Sequence, residues 1–285
     1  MPELPEVETI KNYLHSRCLG AEVLKVKHFR RNLRWPIPDL SNKLQNLKIK
    51  SISRRAKYLI ISFDIGHLIM HFGMSGFLSC INLDYENWSL VKKKHDHFVM
   101  SLCCNNKIFQ CVLNDARRFG AVLWHEGDIN THFLLEKLGP EPLSDDFNYK
   151  YLKQVLASRK TPIKQALMNG NIVVGVGNIY ANEALFLSNI NPMCESKIVA
   201  TNNYESKLKS LVLNIKKVLI ESIKSGGTTL KDYKQADGKP GYFKQTLKVY
   251  GRQGQPCVVC VTKLLGVRLG QRTTVYCPSC QSLDY

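Results

Sequence analysis

Apolar residues follow two different periodicities and so divide the chain into two parts. Between about residues 23 and 124, short apolar segments are separated by turn residues such as those at 64–66 and 105–106. This pattern predicts antiparallel β-hairpins packed as a sandwich or barrel, with strands at 47–53, 58–63, 68–72, 98–103, 108–113 and 121–124. From about residue 150 onward, apolar residues recur every three or four positions, which predicts helices.

A leading helix precedes the β region, and several helices follow it. The leading helix begins near Pro5, which suits a first helical turn, and it ends at Gly20. Its apolar positions have helical spacing and are Val7, Ile10 and Leu14. The later helices are predicted at 151–157, from 161 to about 170, from 178 onward and at 208–223.

Composition changes at residues 138–149, which are rich in Pro, Gly and acidic side chains and are predicted to form a linker. We therefore expect an α+β multidomain chain. Its parts are an N-terminal antiparallel β-sandwich with the leading helix at 1–137, the linker at 138–149, a helical domain at 150–243 and a small β-hairpin module at 244–285.

The net charge of the chain indicates what kind of partner it binds. The 285 residues include 40 Lys and Arg against 23 Asp and Glu, a formal charge of +17. Such a surplus favours a polyanion, either nucleic acid or an anionic membrane surface. The sequence lacks an apolar run of about 18 residues, as a spanning helix needs, and its acidic start is unlike a signal peptide. We expect a soluble, non-secreted cytoplasmic protein that does not bind a membrane.

Four of the ten cysteines predict a metal site. Cys257 and Cys260 form one CxxC pair and Cys277 and Cys280 form another, with sixteen residues between the pairs. This spacing is typical of a zinc ribbon, in which four thiolates fill the coordination sphere of one structural Zn²⁺. The alternative interpretation, a redox-active CxxC motif, predicts a single CxxC pair in a βαβ unit, and the sequence lacks that pattern. The other six cysteines are expected to be reduced thiols.

The N-terminal residues offer a nucleophile. Removal of Met1 would leave Pro2 with a free secondary amine, and an α-amino group has a reference pKa of about 7.7 to 8.0, low enough to be partly neutral. Glu3 beside it could donate or accept a proton, and the positive end of the following helix should disfavour a neighbouring cation. Glu6 complements the same helix dipole. The alternative is a frayed acidic terminus without function.

Two glycine-containing loops carry residues suited to entering a base stack. Residues 71–76 are predicted to push Met74 outward, and an exposed apolar side chain can act as a wedge. Arg117 and Phe119 lie in a second such loop at 115–120, where an arginine can pair with an orphaned base and an aromatic ring can stack.

Further basic residues are predicted phosphate contacts, although solvated surface charge is the alternative. Lys57 lies in a basic cluster, and His95 follows three lysines; His95 and His97 alternate along a strand and so do not make a convincing metal pair. Lys160 and Lys164 flank the start of a helix. Asn178 opens another helix after a glycine turn that lacks the Walker and dinucleotide patterns, so we expect no nucleotide or redox cofactor.

The segment at residues 2–9 closely resembles the N-terminus of the formamidopyrimidine-DNA glycosylases, and the resemblance extends to the last cysteine. These bacterial enzymes of base excision repair are both hydrolases and lyases. The resemblance implies a monomer, acting on nucleoid-associated double-stranded DNA that contains oxidised bases or abasic sites. It would remove 8-oxoguanine and formamidopyrimidines through a proline Schiff base, followed by β- and δ-elimination.

The resemblance also implies roles for individual residues. Matching positions make Pro2 the nucleophile and Glu3 the proton donor, supported by Glu6, with Lys57 and Arg272 assisting the eliminations. They make Met74, Arg117 and Phe119 the wedge, and His95, Lys160, Lys164 and Asn178 DNA contacts within a domain of helix, two turns and helix. The family loop usually has proline where Ala116 stands, which should loosen the turn. Residues 228–243 would close over the extruded base.

Two alternatives stay open at this point. The first is the endonuclease VIII class, which acts on oxidised pyrimidines; it typically has glycine where Leu4 stands and lacks the Met74, Arg117, Phe119 wedge. The second is a non-catalytic DNA-binding protein with a zinc ribbon, which the composition and the cysteines fit equally well.

Overall fold

The computed structural model describes residues 2–83, 92–227 and 246–283, and these form two compact units. Unit 1 contains the described parts of Met1–Glu136 and Ile223–Lys244. Unit 2 contains those of Lys137–Ser222 and Gln245–Tyr285. Within the described ranges, every helix is too short or too polar to cross a membrane.

Unit 1 is a β-sandwich with one leading helix, as the sequence predicts. Helix α1 spans Leu4–Cys18. One antiparallel sheet has the order β1-β6-β7-β5, formed by Glu22–His28, Asp96–Cys104, Lys107–Asn114 and Phe77–Leu83. The other has the order β2-β3-β4-β8, formed by Ser51–Arg55, Tyr58–Phe63, Gly66–His71 and Ala121–His125.

The core of unit 1 joins α1 to both sheets. Val7, Ile10 and Leu14 are buried at the positions that the helical spacing predicts. Their partners include Leu59 and Met100, one from each sheet. Burying such side chains stabilises the fold by about 1.5–3 kcal/mol each, so this one stripe fixes α1 against the sandwich.

Three features of the sheets differ from the sequence prediction. Strand β1 was not among the predicted strands, although most of it lies within the predicted β region. Strand β5 was not predicted, because its buried Leu78 and Cys80 are followed by the exposed Ile81 and the polar Asn82, so the strand has no clean apolar segment. Strand β2 begins four residues later than the predicted 47–53, because Leu47 and Ile49 bond instead to the chain around Ala21 and Val23.

The connections between the sheets position two loops side by side. The chain leaves β4 at His71 and enters β5 at Phe77, and it leaves β7 at Asn114 and enters β8 at Ala121. His71 pairs with Ala121, and Phe77 pairs with Asn114. Both ends of one loop therefore adjoin both ends of the other, and residues 72–76 and 115–120 lie together at one edge of the sandwich.

Unit 2 combines helices with a β-hairpin. Its helices are α2 (Tyr149–Leu156), α3 (Ile163–Leu167), α4 (Asn178–Leu187) and α5 (Ser196–Val199), with most of α6 (Glu205–Lys224). Strands β9 (Leu265–Leu269) and β10 (Arg272–Tyr276) form the hairpin. Helix α3 is shorter than predicted and ends before Met168, whereas α5 was not predicted. The predicted amphipathic helix corresponds to α6, whose face at 208–219 is buried.

A buried carboxylate attaches the chain before the hairpin to α4. The Glu183 side chain accepts hydrogen bonds from the backbone N–H groups of Lys248, Val249 and Tyr250 at 2.8, 3.0 and 2.8 Å. Glu183 is 3% exposed, so water cannot replace these bonds. Nearby, Asn182 Oδ1 accepts from the N–H of Val275, which joins α4 to β10 as well.

We predict that Glu183→Gln destabilises the protein by about 1.5–3 kcal/mol. The glutamine NH2 group would face backbone N–H groups that now donate to a carboxylate oxygen, so at least one of these donors would lose its acceptor. Urea unfolding followed by circular dichroism would measure this loss. Glu221→Gln on the exposed side of α6 is the matched control and should change stability by less than about 0.5 kcal/mol. Equal stability of the two variants would contradict the assignment.

Candidate functional site

The N-terminus of α1 is capped by two carboxylates. The backbone N–H of Glu3 donates to Glu6 Oε2 at 2.8 Å, and the Glu3 side chain accepts from the backbone N–H of Glu6. Each of these residues is 2% exposed, and Pro2 is also buried. This reciprocal capping box satisfies first-turn donors and fixes the direction in which the chain enters the helix. The predicted catalytic residues Pro2, Glu3 and Glu6 therefore lie together.

Gly227 covers one side of this carboxylate pair. Its φ of +86° is one that L side chains rarely adopt, and a Cβ there would stand 3.2 Å from both Cγ and Oε1 of Glu6. Because glycine lacks a side chain, the backbone at this position can approach Glu6 closely. Residues 228–243, which were expected to close over an extruded base, lie outside the described residues.

Arg54 connects α1 to the hairpin that carries Lys57. Its Nε donates to Glu8 Oε2 at 2.7 Å, and its guanidinium also donates to the Ala56 carbonyl at 2.9 Å. Burial raises the pKa of Glu8, but hydrogen bonds from Lys11 and Arg54 outweigh it and hold the pKa below its usual range. The ion pair with Arg54 therefore persists at neutral pH.

Lys57 occupies a two-residue turn between β2 and β3, next to His71. The turn is tight, since Ala56 has a φ of +54°. Burial, with the charges of Lys57 and Arg34, lowers the pKa of His71 to about 4 despite the opposing charge of Asp115. His71 is therefore neutral at pH 7. Because its Nδ1 accepts from the Gly73 N–H at 3.1 Å, its proton resides on Nε2, which makes this nitrogen a donor.

Asp115 holds the two loops at 72–76 and 115–120 together. One carboxylate oxygen accepts from Ser75 Oγ at 2.7 Å and from the Arg117 N–H at 3.2 Å, and the other accepts from the Gly120 N–H at 2.8 Å. The side chain is fully buried. The loop backbones also touch, because a Cβ on Gly73 would lie 2.4 Å from the carbonyl carbon of Phe119.

The predicted wedge residues lie on these joined loops. The Arg117 guanidinium is 5.2 Å from the centre of the Phe119 ring, and both side chains are exposed, Phe119 by 47%. An exposed phenylalanine stacked on an arginine is a costly surface for a protein without a partner and a suitable one for stacking on a base. Met74, on the other loop, is half-buried rather than fully exposed.

His95 lines a basic cavity beside the second loop. The cavity has a volume of about 270 Å³. Seven residues line it, and five of them are cationic residues or histidines, namely Arg30, Lys92, His95, His97 and Arg118. The two histidines do not form a metal pair: His95 is exposed, whereas His97 is buried and bonded through Nε2 to the Asp115 carbonyl at 2.8 Å. The cavity suits an anion.

In unit 2 the prediction that Lys164 contacts DNA requires correction. Lys164 is 1% exposed, and its ammonium donates to Asn178 Oδ1, the Thr274 hydroxyl and the Thr273 carbonyl at 2.6, 2.7 and 3.2 Å. An ammonium has three protons, so these acceptors use them all. Lys164 therefore joins the start of α4 to β10 and does not present its charge to a ligand.

The same network orients Asn178 at the first turn of α4. Its amide oxygen accepts from Lys164 and, at 3.4 Å, from Asn182 Nδ2. The amide nitrogen must then point away from both donors, and Asn178 is partly exposed. Two side-chain N–H donors at a helix N-terminus are suited to a phosphate.

Arg272 and Lys160 have different surroundings. Arg272 is the first residue of β10, partly exposed and next to Thr273, so it shares a strand with the partners of Lys164. Lys160 is exposed in the turn between α2 and α3. In unit 2, Arg272 is thus the neighbour in sequence of Thr273, whose carbonyl accepts from Lys164, whereas Lys160 is exposed in a turn.

The four predicted zinc ligands converge at the base of the hairpin. Their sulfur atoms all lie within 4.8 Å of one another, and Cys260 Sγ is 3.4 Å from the sulfurs of both Cys277 and Cys280. Sulfurs around a tetrahedral zinc are separated by about 3.8 Å, given Zn–S bonds of about 2.3 Å. The donor set therefore fits one structural Zn²⁺, with all four positions occupied by protein.

Sequence reasoning missed Asp115, Arg54 and His71. An aspartate that follows a strand and precedes a loop could have been recognised as a candidate for bonding backbone N–H groups. The ion pair of Arg54 could not have been recognised in this way, because its partner Glu8 is 46 positions away in the sequence.

Family models match three segments of the chain. Residues 1–122 match the formamidopyrimidine-DNA glycosylase N-terminal domain, residues 138–234 match the formamidopyrimidine-DNA glycosylase H2TH domain, and residues 254–283 match a zinc finger found in FPG and IleRS.

Whole proteins and solved structures are also similar over nearly the full length. Formamidopyrimidine-DNA glycosylases of Colwellia psychrerythraea and Shewanella woodyi are 49% and 48% identical, covering 99% of this chain and 99% and 100% of theirs. The structure of Lactococcus lactis Fpg with abasic-site DNA is 32% identical, with a TM-score of 0.86 over 98% of this chain and 99% of that one. MutM in complex with carbocyclic 8-oxo-G DNA gives the same score and identity, covering 99% and 100%. The chain therefore belongs to the formamidopyrimidine-DNA glycosylase family.

Proposed function

We propose that this chain removes oxidised purines, chiefly 8-oxoguanine and formamidopyrimidines, from double-stranded DNA and then cleaves the strand at the resulting abasic site. The observation that carries the proposal is the buried carboxylate of Glu3, held by the capping box next to Pro2. We further propose that the protein acts as a monomer on DNA in the bacterial cytoplasm.

The proposed reaction begins once Met1 has been removed. The lone pair of the Pro2 nitrogen attacks C1′, and the bond from C1′ to the damaged base breaks as the base leaves with its electron pair. The departing base takes up the proton that the Pro2 nitrogen loses. Glu3 donates a proton to the ring oxygen, the sugar opens and the nitrogen forms an iminium with C1′. Holding Glu3 at the helix N-cap places its acid group beside the nucleophile without a flexible linker.

The iminium then serves as an electron sink. Loss of a proton from C2′ expels the 3′ phosphate, and a second elimination expels the 5′ phosphate. Lys57 and Arg272 are assigned to these proton and charge movements. The pairing of Arg54 with Glu8 supports the role of Lys57, since it holds the lysine turn against α1. His71 Nε2–H, next to Lys57, is a further proposed phosphate donor.

Recognition of DNA is assigned to the charged and apolar surfaces described above. Arg117 and Phe119 stack on each other and, with Met74, are proposed to fill the space left by the extruded nucleotide. His95, Lys160 and Asn178 are proposed phosphate contacts, whereas Lys164 acts indirectly by orienting Asn178. Residues 150–243 and 244–285 remain the proposed DNA-binding domain and zinc ribbon, after the linker at 138–149.

One observation favours a wider substrate range. A solved structure of Lactococcus lactis Fpg, 32% identical, is described as a complex with DNA that contains an oxidised pyrimidine. Against the pyrimidine-specific alternative, Leu4 is fully buried in this chain, where the endonuclease VIII class typically has glycine. Oxidised purines therefore remain the proposed main substrates.

We predict faster excision of 8-oxoguanine opposite cytosine than of thymine glycol, because the joined loops carry the purine-type wedge. Single-turnover rates on two duplexes that differ only at the lesion would measure the preference. Undamaged duplex is the control. A clear preference for thymine glycol would overturn the purine assignment while leaving the chemistry intact.

We predict that the mature protein becomes covalently linked to abasic-site DNA in borohydride, whereas a preparation retaining Met1 does not, because its Pro2 nitrogen is an amide. Gel mobility of the reduced product would show the linkage. Glu3→Gln provides a matched variant: it should still trap on a preformed abasic site but release 8-oxoguanine slowly. Normal turnover by the form that retains Met1 would exclude Pro2 as the nucleophile, and absence of trapping by the mature form would favour a binding protein without catalysis.

We predict that Asp115→Asn slows excision from an intact lesion duplex by about tenfold to a hundredfold, the equivalent of about 1.5–3 kcal/mol, because the amide cannot satisfy three donors from two loops. Cleavage at a preformed abasic site needs less extrusion and should slow much less. The exposed Asp146→Asn is the control for a general effect of lost charge. Equal slowing on both substrates would show that Asp115 does not act through the wedge loops.

A further inference from the structure

Three cysteines outside the zinc ribbon converge inside the β-sandwich. Cys18 is the last residue of α1, and Cys80 and Cys111 lie directly opposite each other on β5 and β7. Their three sulfur atoms lie within 4.8 Å of one another, and Cys111 Sγ is 3.0 Å from Cys80 Sγ. These residues are separated by 62 and 31 positions in the sequence, so no local pattern groups them.

The three thiols are buried in an apolar core. Cys18 has no exposed surface, and Cys80 and Cys111 are each 2% exposed. All three belong to the same hydrophobic cluster as Leu14 and Leu78. Soft thiolate sulfurs in such surroundings bind thiophilic ions and disfavour hard ions such as Mg²⁺ or Ca²⁺, which require oxygen ligands.

The number of ligands and the burial narrow the class of ion. Zinc in a structural site takes four ligands, whereas this cluster offers three, and the enclosure leaves little room for water as a fourth. Charge narrows it further, because an uncompensated charge in an apolar interior is costly. Three thiolates around a monovalent or divalent ion leave a net negative charge. Three thiolates around a trivalent ion form a neutral complex.

A cavity lies among residues that neighbour the three cysteines in sequence. It has a volume of about 370 Å³, and its lining includes Arg17, Asn82 and Phe109. Arg17 precedes Cys18, while Asn82 and Phe109 lie two positions from Cys80 and Cys111 on their strands. Residues two apart on a strand share a face, so the cavity adjoins the face on which the thiols meet.

We propose that Cys18, Cys80 and Cys111 form a trigonal binding site for a trivalent thiophilic ion, for which arsenite is the probe. Arsenite, As(OH)₃, exchanges its three hydroxyl groups for three sulfurs. Three As–O bonds break, three As–S bonds form, and each thiol proton leaves with a hydroxyl group as water. Arsenic stays trivalent throughout, so the step needs no oxidant or reductant. The complex ties the end of α1 to β5 and β7.

Native mass spectrometry of the zinc-loaded full chain, reduced with a phosphine and titrated with arsenite, tests this site. The expected adduct is one arsenic atom with the loss of three protons and with zinc retained. Cys18→Ala, Cys80→Ala and Cys111→Ala should each weaken this adduct by about tenfold or more, since each removes one of three bonds to the ion. Cys103→Ala, on β6, and Cys194→Ala, in unit 2, are matched controls and should leave it unchanged.

Folding of each variant is checked by far-ultraviolet circular dichroism and by retained zinc. X-ray absorption at the arsenic edge provides a measurement on the unaltered protein, and three sulfur neighbours are expected with zinc still bound. Arsenic uptake that displaces zinc and persists in Cys18→Ala would place the ion at the ribbon and overturn the proposal. Loss of only two protons, a Cys80–Cys111 disulfide in place of the adduct, or no uptake would overturn it as well.

Discussion

The reciprocal hydrogen bonds between Glu3 and Glu6 are the constraint on which the proposed active site depends. Two carboxylates are buried side by side at one helix end, and burial of charge is costly unless hydrogen bonds compensate it. Here the compensation comes from the backbone N–H groups of the first turn, which would otherwise lack partners. The same bonds stabilise the helix and hold Glu3 next to Pro2. A substitution there would therefore affect folding and chemistry together, and Gly227 narrows the tolerance further by packing against Glu6.

Buried carboxylates that accept backbone N–H groups recur at the other critical joints. Asp115 joins two loops in unit 1, and Glu183 attaches the chain before the hairpin to α4 in unit 2. In a chain with a formal charge of +17, acidic residues used in this way are removed from the surface. The positive surplus then remains exposed, where it can attract a polyanion. Buried negative charges thus stabilise the fold, whereas exposed positive charges attract DNA.

Local patterns predicted much of this structure, and contacts between distant residues account for what they missed. The buried stripe of α1 follows from helical spacing, and the zinc ligands follow from two CxxC pairs, since both signals lie within short stretches. The sequence placed Met74, Arg117 and Phe119 on two loops, but it could not show that Asp115 bonds to Ser75, 40 positions away. From the sequence, Lys164 was predicted to be a DNA contact at the surface, because a lysine near the start of a helix is usually solvated. Its partner Thr274 lies 110 positions later, and only the folded chain shows that the ammonium is enclosed.

The position of Lys164 also explains how a closed zinc site can matter for binding DNA. The ribbon is too short to build an adequate core of its own, so zinc coordination must supply much of its folding free energy. Strand β10 then presents the Thr273 carbonyl and the Thr274 hydroxyl to Lys164. With these acceptors in place, Lys164 is held where it fixes the amide oxygen of Asn178. Without an ordered β10, the buried ammonium would lose two of three partners, at a cost of a few kcal/mol. The zinc ion therefore influences the proposed phosphate contact of Asn178 through Lys164, although zinc takes no part in the proposed reaction.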